Sequence, residues 1–259
     1  MITTTTPDAS ALLLALAGSA AAGLVGSVAV LRRMALASDA MSHVALPGVG
    51  LAILLHLNPV LGALAALCVG TLLIWAVEHK TRLPTEAIIG VVFSAALAIG
   101  SMLTSGDELL EALFGAPHTP GRTELLLGFA AAAVVTVFIL RAQSRLVITL
   151  VSEDLAITAG IDVPRLNLLF LLAFSLTVAL GLRYLGVLLM GSLIIIPAAT
   201  AKHLARSLRS MRAIAVVTAM ASTLIGTLAA PRLGLETGPL IITIAAGIFF
   251  VSLLKRTDR

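Results

Sequence analysis

The chain has 259 residues, of which 59% are hydrophobic and only 12% charged, with a formal net charge of +4; its mean hydropathy is +1.10. A soluble domain is about 45–50% apolar and about 25% charged, so this balance excludes an ordinary soluble enzyme and leaves a helical membrane protein. The positive charge sits in short stretches between apolar runs, which speaks of orientation in a bilayer and not of a nucleic-acid partner.

The first ten residues, MITTTTPDAS, lack a basic leader, so the apolar run that follows reads as a retained span and not as a signal peptide. A helix needs about 20 residues to cross the hydrocarbon, with about 17 as the lower limit. Nine segments qualify, at 10–31, 36–57, 60–79, 87–103, 123–143, 166–182, 186–204, 213–232 and 238–254. The expected fold is an all-α integral membrane bundle forming one domain over 1–259. With the N-terminus outside and the C-terminus in the cytoplasm, 14 of the 17 Lys and Arg residues fall on the inner side, and only Arg122, Arg183 and Arg232 fall outside.

In the first span Gly18, Ala22 and Gly26 recur at four-residue spacing, as do Gly90, Ser94 and Ala98 in the fourth. Such rows let helix backbones approach closely, within one subunit or between two. The second span carries the chain's most unusual chemistry: Ser38, Asp39, Ser42 and His43 lie within six residues of apolar sequence. An ionisable group in hydrocarbon costs about 3 kcal/mol or more, and so has a task or a partner. On a helix Asp39 and His43 stand at i and i+4, one above the other on one face. Three readings stay open. Ser38 or Asp39 caps the helix while His43 makes one interhelical bond; the two relay protons; or they offer oxygen and nitrogen to a divalent transition metal. Pro47 and Gly48 follow one turn later and are expected to bend or break the helix, freeing backbone carbonyls.

The outer stretch 104–122 holds Asp107, Glu108, Glu111 and His118, a solvated face or an attractor of cations; His56 and His118 are candidate entry ligands. His79 and His203 read as solvated inner-surface residues. The inner stretch 144–165 contains a short helix, with Ser152 as its N-cap, Glu153 and Asp154 in its first turn, and Gly160 as its stop. A capped inner helix of this kind suits docking of a soluble partner. In the seventh span Pro197 is expected to kink the helix beside the small residues Ala198, Ala199, Thr200 and Ala201, making a packing wall or a gate. The single cysteine, Cys68, permits no internal disulfide. No GxxxxGK[ST], HExxH or GxSxG motif occurs, so neither an ATPase nor a hydrolase is expected of this chain.

Four passages together resemble the permease subunits of ABC importers for zinc, manganese and iron. They are VLRRMALASDAMSHVALPGVGLAILL, AIIGVVFSAALAIGSML followed by LLEALFG, SEDLAITAG, and GVLLMGSLIIIPAATA. Ser38 stands where that family often has glycine, and Val44–Ala45 reverses a common pair. The resemblance implies the helical permease fold shared with cobalamin and siderophore importers, in the cell membrane of a prokaryote. It implies a second permease subunit, identical or different, ATP-binding subunits in the cytoplasm, and an extracellular or periplasmic metal-binding protein. ATP would be hydrolysed on the partner, no cofactor would be held permanently, and the metal would be the transported substrate. Asp39 and His43 become the expected metal contacts. Glu153, Asp154, Ala156 and Gly160 become the coupling segment, and Pro47, Gly48, Pro197 and Thr200 line a path or gate. Rival readings are a proton-coupled metal carrier and a permease for a chelate or cobalamin.

Overall fold

The structure is a computed structural model and describes residues 9–81, 83–103, 121–185 and 187–254. The described residues form helices joined by short connections, with no strand among them. In chain order the helices are α1 (Ala9–Leu31), α2 (Ala35–Val44), α3 (Leu46–Leu54), α4 (Pro59–Lys80), α5 (Thr85–Leu103) and α6 (Arg122–Val151). They continue with α7 (Glu153–Thr158), α8 (Val163–Leu185), α9 (Val187–Leu204), α10 (Leu208–Leu233) and α11 (Thr237–Leu253).

The bundle is built around α1, which packs against α6, α8, α9 and α10. Its sequence explains the position. Alanine, glycine and serine fill its second half, and Gly18 through Val30 are buried apart from Ala20. Small side chains let four neighbours close on one helix. At Gly26 an added Cβ would collide with the carbonyl of Ile194 in α9. The row at Gly90, Ser94 and Ala98 behaves differently. Ser94 and Ala98 are exposed, and a Cβ on Gly90 would meet nothing. Of these glycines only Gly26 marks a close contact; Gly18 and Gly90 have open space around them.

Among the described residues seven helical segments are long and apolar enough to cross a membrane: Ala9–Leu31, Ala37–Leu54, Pro59–Lys80, Thr85–Leu103, Arg122–Val151, Val163–Gly181 and Leu208–Leu233. The other two expected spans fall on α9 and on α11. The latter is apolar but only 17 residues long, about 25 Å at 1.5 Å per residue against a core of about 30 Å. The fifth span runs further than its expected end at 143. Residues 144–151 hold no glycine or proline, and Ala142 and Leu146 keep its buried face in register, so the helix carries Arg141 and Arg145 and ends at Val151. The expected inner loop therefore begins at Ser152. The calls on Asp107, Glu108, Glu111 and His118 lie outside the described residues.

Gly48 packs α3 on α4. A Cβ there would overlap the carbonyl of Gly62, and a Cβ on Gly62 would overlap the carbonyl of Gly48. Backbone against backbone cannot give way as a side-chain tip can. Gly62→Ala is therefore expected to cost about 1–3 kcal/mol and lower the thermal unfolding midpoint of the purified protein. Gly90→Ala, with open space around it, should leave that midpoint unchanged or slightly raised. Equal midpoints for the two variants would refute the close approach.

Candidate functional site

Neither Ser38 nor Asp39 caps a helix. α2 begins at Ala35 behind Met34, which makes no side-chain cap. Ser38 instead is buried and donates its hydroxyl to the carbonyl of Gly191 in α9, at 3.2 Å; Ser42, also buried, donates to the Ser38 carbonyl at 2.8 Å. The two helices touch at that point. A Cβ on Gly191 would lie 3.0 Å from the Cα of Asp39 and 3.1 Å from its nitrogen. The residue that departs from the family's usual glycine thus ties α2 to α9 beside the candidate ligand.

Asp39 and His43 share a face. Nε2 of His43 lies 4.0 Å from Oδ1 of Asp39, beyond hydrogen-bond range, so the pair is not closed on itself. The carboxylate side is open, with the Asp39 side chain 53% exposed and that of His43 12%. The imidazole leans on Phe93 of α5, ring centres 5.4 Å apart and planes tilted by 60°. Its Nδ1 is buried and has no hydrogen-bond partner. The ring is thus held by packing, with Nε2 turned toward the carboxylate.

The spacing suits an ion between them. Bonds of about 2.0–2.2 Å to nitrogen and oxygen place two tetrahedral ligands about 3.4 Å apart and never more than about 4.2 Å. A small side-chain rotation of the half-exposed aspartate closes the gap. Among the described residues no group of three His, Cys, Asp or Glu converges, so an ion held by Asp39 and His43 would find no third side-chain ligand of these types there. An incomplete shell is what passage requires, because an ion must leave as well as enter.

The helix interruption expected near Pro47 is a tight turn at Ala45 (φ −69°, ψ −27°), with Pro47 in the first turn of α3. Proline has no N–H to return to the carbonyl four residues earlier, and that carbonyl is His43's. The remaining path candidates lie in α3 and α9. Gly48 is a packing contact, as described above. Pro197 lies inside α9. Thr200 is buried and returns its hydroxyl to the Ile196 carbonyl at 2.9 Å.

The short inner helix forms as expected. The Ser152 hydroxyl accepts from the Leu155 N–H at 3.2 Å, Glu153 and Asp154 occupy the first turn of α7, and Gly160 takes φ +73° just beyond its end. The Ile161 N–H then closes back on the Ala156 carbonyl at 3.0 Å, a terminating turn that favours glycine at its left-handed position. Ala156 faces inward, fully buried, whereas Leu155 and Ile157 are more than half exposed. The outward side of α7 therefore presents Leu155 and Ile157 beside the exposed Glu153, Asp154 and Thr158, and the two apolar residues are ones that sequence reasoning passed over.

Of the other histidines, His56 is exposed at the end of α3 with φ +52°. His79 is exposed and stacks on Trp75, rings 5.8 Å apart. His203 is not the solvated residue expected: its Nε2 is buried without a partner.

Around α7 lies a cavity of about 350 Å³ whose lining includes Arg32, Glu78, Glu86, Glu153 and Asn167. Arg32 donates to Oδ1 of Asn167 at 2.8 Å and to Oγ1 of Thr149 at 3.0 Å, with its guanidinium 5.0 Å above the Phe170 ring. Burial lowers the Arg32 pKa and neighbouring Glu78 raises it; a guanidinium stays charged under such opposing influences.

Residues 8–256 match the family model described as the ABC 3 transport family. The high-affinity zinc uptake system membrane protein ZnuB of Haemophilus influenzae is 32% identical over 240 residues, covering 90% of this chain and 91% of the relative. The manganese transport system membrane protein MntC of Bacillus subtilis is 33% identical over 258 residues, covering 92% of this chain and 58% of the relative. Among solved structures, PsaBC from Streptococcus pneumoniae in complex with Fab aligns with a TM-score of 0.80 at 28% identity, over 93% of this chain and 89% of the other. An inward-facing metal-chelate type ABC transporter aligns with a TM-score of 0.73 at 21% identity, over 95% and 85%, and speaks to the fold alone.

Proposed function

Because the chain belongs to the ABC 3 transport family, we propose that it is the membrane permease subunit of an ATP-driven importer for a divalent transition metal ion. Named relatives carry zinc or manganese, and for this chain the substrate is zinc, manganese or ferrous iron. The observation that carries the reading is the open Asp39–His43 pair, whose mixed oxygen and nitrogen donors favour such ions over magnesium or calcium.

In the mechanism we infer, the ion sheds water onto the Asp39 carboxylate and Nε2 of His43, with further ligands from water, from the His43 carbonyl or from a second permease subunit. α7, with Glu153, Asp154 and the turn at Gly160, seats against an ATP-binding subunit, whose cycle opens the bundle to one side at a time. A metal-binding protein outside the cell delivers the ion. All nine expected spans cross the membrane of a prokaryote, α9 and α11 included, in one domain of the cobalamin-importer type. The N-terminus is outside and the C-terminus in the cytoplasm, as the distribution of Lys and Arg favours. Pro197 bends α9 near the inner end, next to Thr200. A self-sufficient proton-coupled carrier would have no use for a capped α7 with apolar residues facing outward.

Cellular zinc, manganese and iron content, read by elemental mass spectrometry, tests this directly. Metal-starved cells with the chain and its two partner proteins are expected to accumulate one of the three metals severalfold over cells lacking only the chain. Equal content of all three would overturn the reading.

A further inference from the structure

Arg32 binds both flanks of the partner-docking helix at once. Thr149 is in the last turn of α6, three residues before the Ser152 cap, and Asn167 is in the second turn of α8, just after α7 rejoins the bundle. The Phe170 ring beneath the guanidinium adds a third hold in α8. Two of these contacts are charge-assisted hydrogen bonds with little freedom for the planar fork.

Arg32 is also the last residue before a joint. α1 ends in a terminating turn in which the Met34 N–H bonds the Ala29 carbonyl at 2.9 Å and the Arg33 N–H bonds that of Val30 at 3.3 Å. The left-handed position of that turn, normally a glycine, is Arg33 at φ +60°. A side chain there is strained and persists only when its surroundings hold it. Directly beyond the joint comes α2, with Asp39 seven residues after Arg32.

We propose that Arg32 is a positioning residue that conveys movement of the partner-docking helix to the metal-contacting helix, by clamping the α1–α2 joint to the ends of α6 and α8. Shifting α7 moves its flanks, the flanks carry the guanidinium, and the guanidinium turns the joint from which Asp39 and His43 hang. The proposal rests on the transporter reading above. It adds a residue that touches neither the ion nor the ATP-binding partner. The half-buried Arg32 has Glu78, Glu86 and Glu153 around the same cavity, so its charge is compensated while its hydrogen bonds are spent on the two flanks.

The test is metal moved per ATP hydrolysed by the complete complex in proteoliposomes, with zinc, manganese and ferrous iron tried separately. Arg32→Gln is expected to lower that ratio about tenfold, the scale of ordinary coupling between sites. Arg32→Lys keeps the charge over Phe170 but cannot bridge both flanks, and should recover only part of the ratio. If Arg32→Gln fails to reach the membrane, Thr149→Val and Asn167→Leu each cut one arm of the clamp and should each lower the ratio severalfold. A residue that merely supports folding would reduce the amount of complex and leave the ratio of surviving complex intact; that result, in any of these variants, overturns the proposal. If the intact complex moves none of the three ions, the transporter reading itself falls, and the clamp falls with it.

Discussion

His43→Ala, compared at equal membrane abundance, is expected to leave metal accumulation in starved cells at least about tenfold below that of the intact chain, since losing even an outer partner of a metal ligand costs 10–100-fold. The imidazole is mostly buried and is held by Phe93 with its Nε2 toward Asp39. Alanine removes the nitrogen donor and also the packing, so a second variant separates the two. Asp39→Asn keeps size and shape while removing the charge that attracts a cation, and the half-exposed side chain has little packing to lose. It should fall with His43→Ala. Phe93→Leu disturbs the imidazole's support but leaves both donors, and should lose much less. Import at the intact level in both His43→Ala and Asp39→Asn would make the pair structural and end the ligand assignment.

Leu155→Asp combined with Ile157→Asp should strip the ATP-binding subunit from the purified permease. Apolar side chains on an exposed helix face are the anchors through which a small docking element binds, and loss of an anchor of about 2 kcal/mol weakens association about thirtyfold. Both residues are more than half exposed, so charging them disturbs a surface and not the bundle. Ala156→Arg acts on the opposite side. Its site is fully buried where α7 packs against α6 and α8, so it should lower the permease's own thermal stability as well as copurification. The double aspartate should leave thermal stability unchanged. Undiminished copurification of the double variant would remove α7 from the docking surface.

These outcomes turn on features that differed in how far sequence alone revealed them. The i, i+4 relation of Asp39 and His43 follows from helical geometry, and local hydrogen-bonding rules place Ser152 and Gly160 at the two ends of α7. All three are short-range matters. The missing parts are long-range. Arg32 meets partners 117 and 135 residues away, and in the sequence it is one more inner-side positive charge. Gly191 presses on the backbone of Asp39, yet its motif indicates only a helix with room beside it. The inward turn of Ala156 and outward turn of Leu155 and Ile157 depend on where α6 ends. The expected end at 143 falls short of the observed one at Val151 because Arg145 directly follows the apolar run. Gly18 and Gly26 look alike in sequence, but only Gly26 meets a neighbour's backbone.

The openness of Asp39 bears on how the protein is made as well as on what it moves. A single copy released into lipid carries a half-uncovered carboxylate, at a cost of about 3 kcal/mol near the bilayer centre. A typical domain's whole margin of stability is about 5–15 kcal/mol, so the penalty takes a large share of it. Water or another subunit must shield that group before the copy is secure. On the proposed reading, the openness that would admit an ion also makes a copy without its partner less stable in lipid than an assembled one.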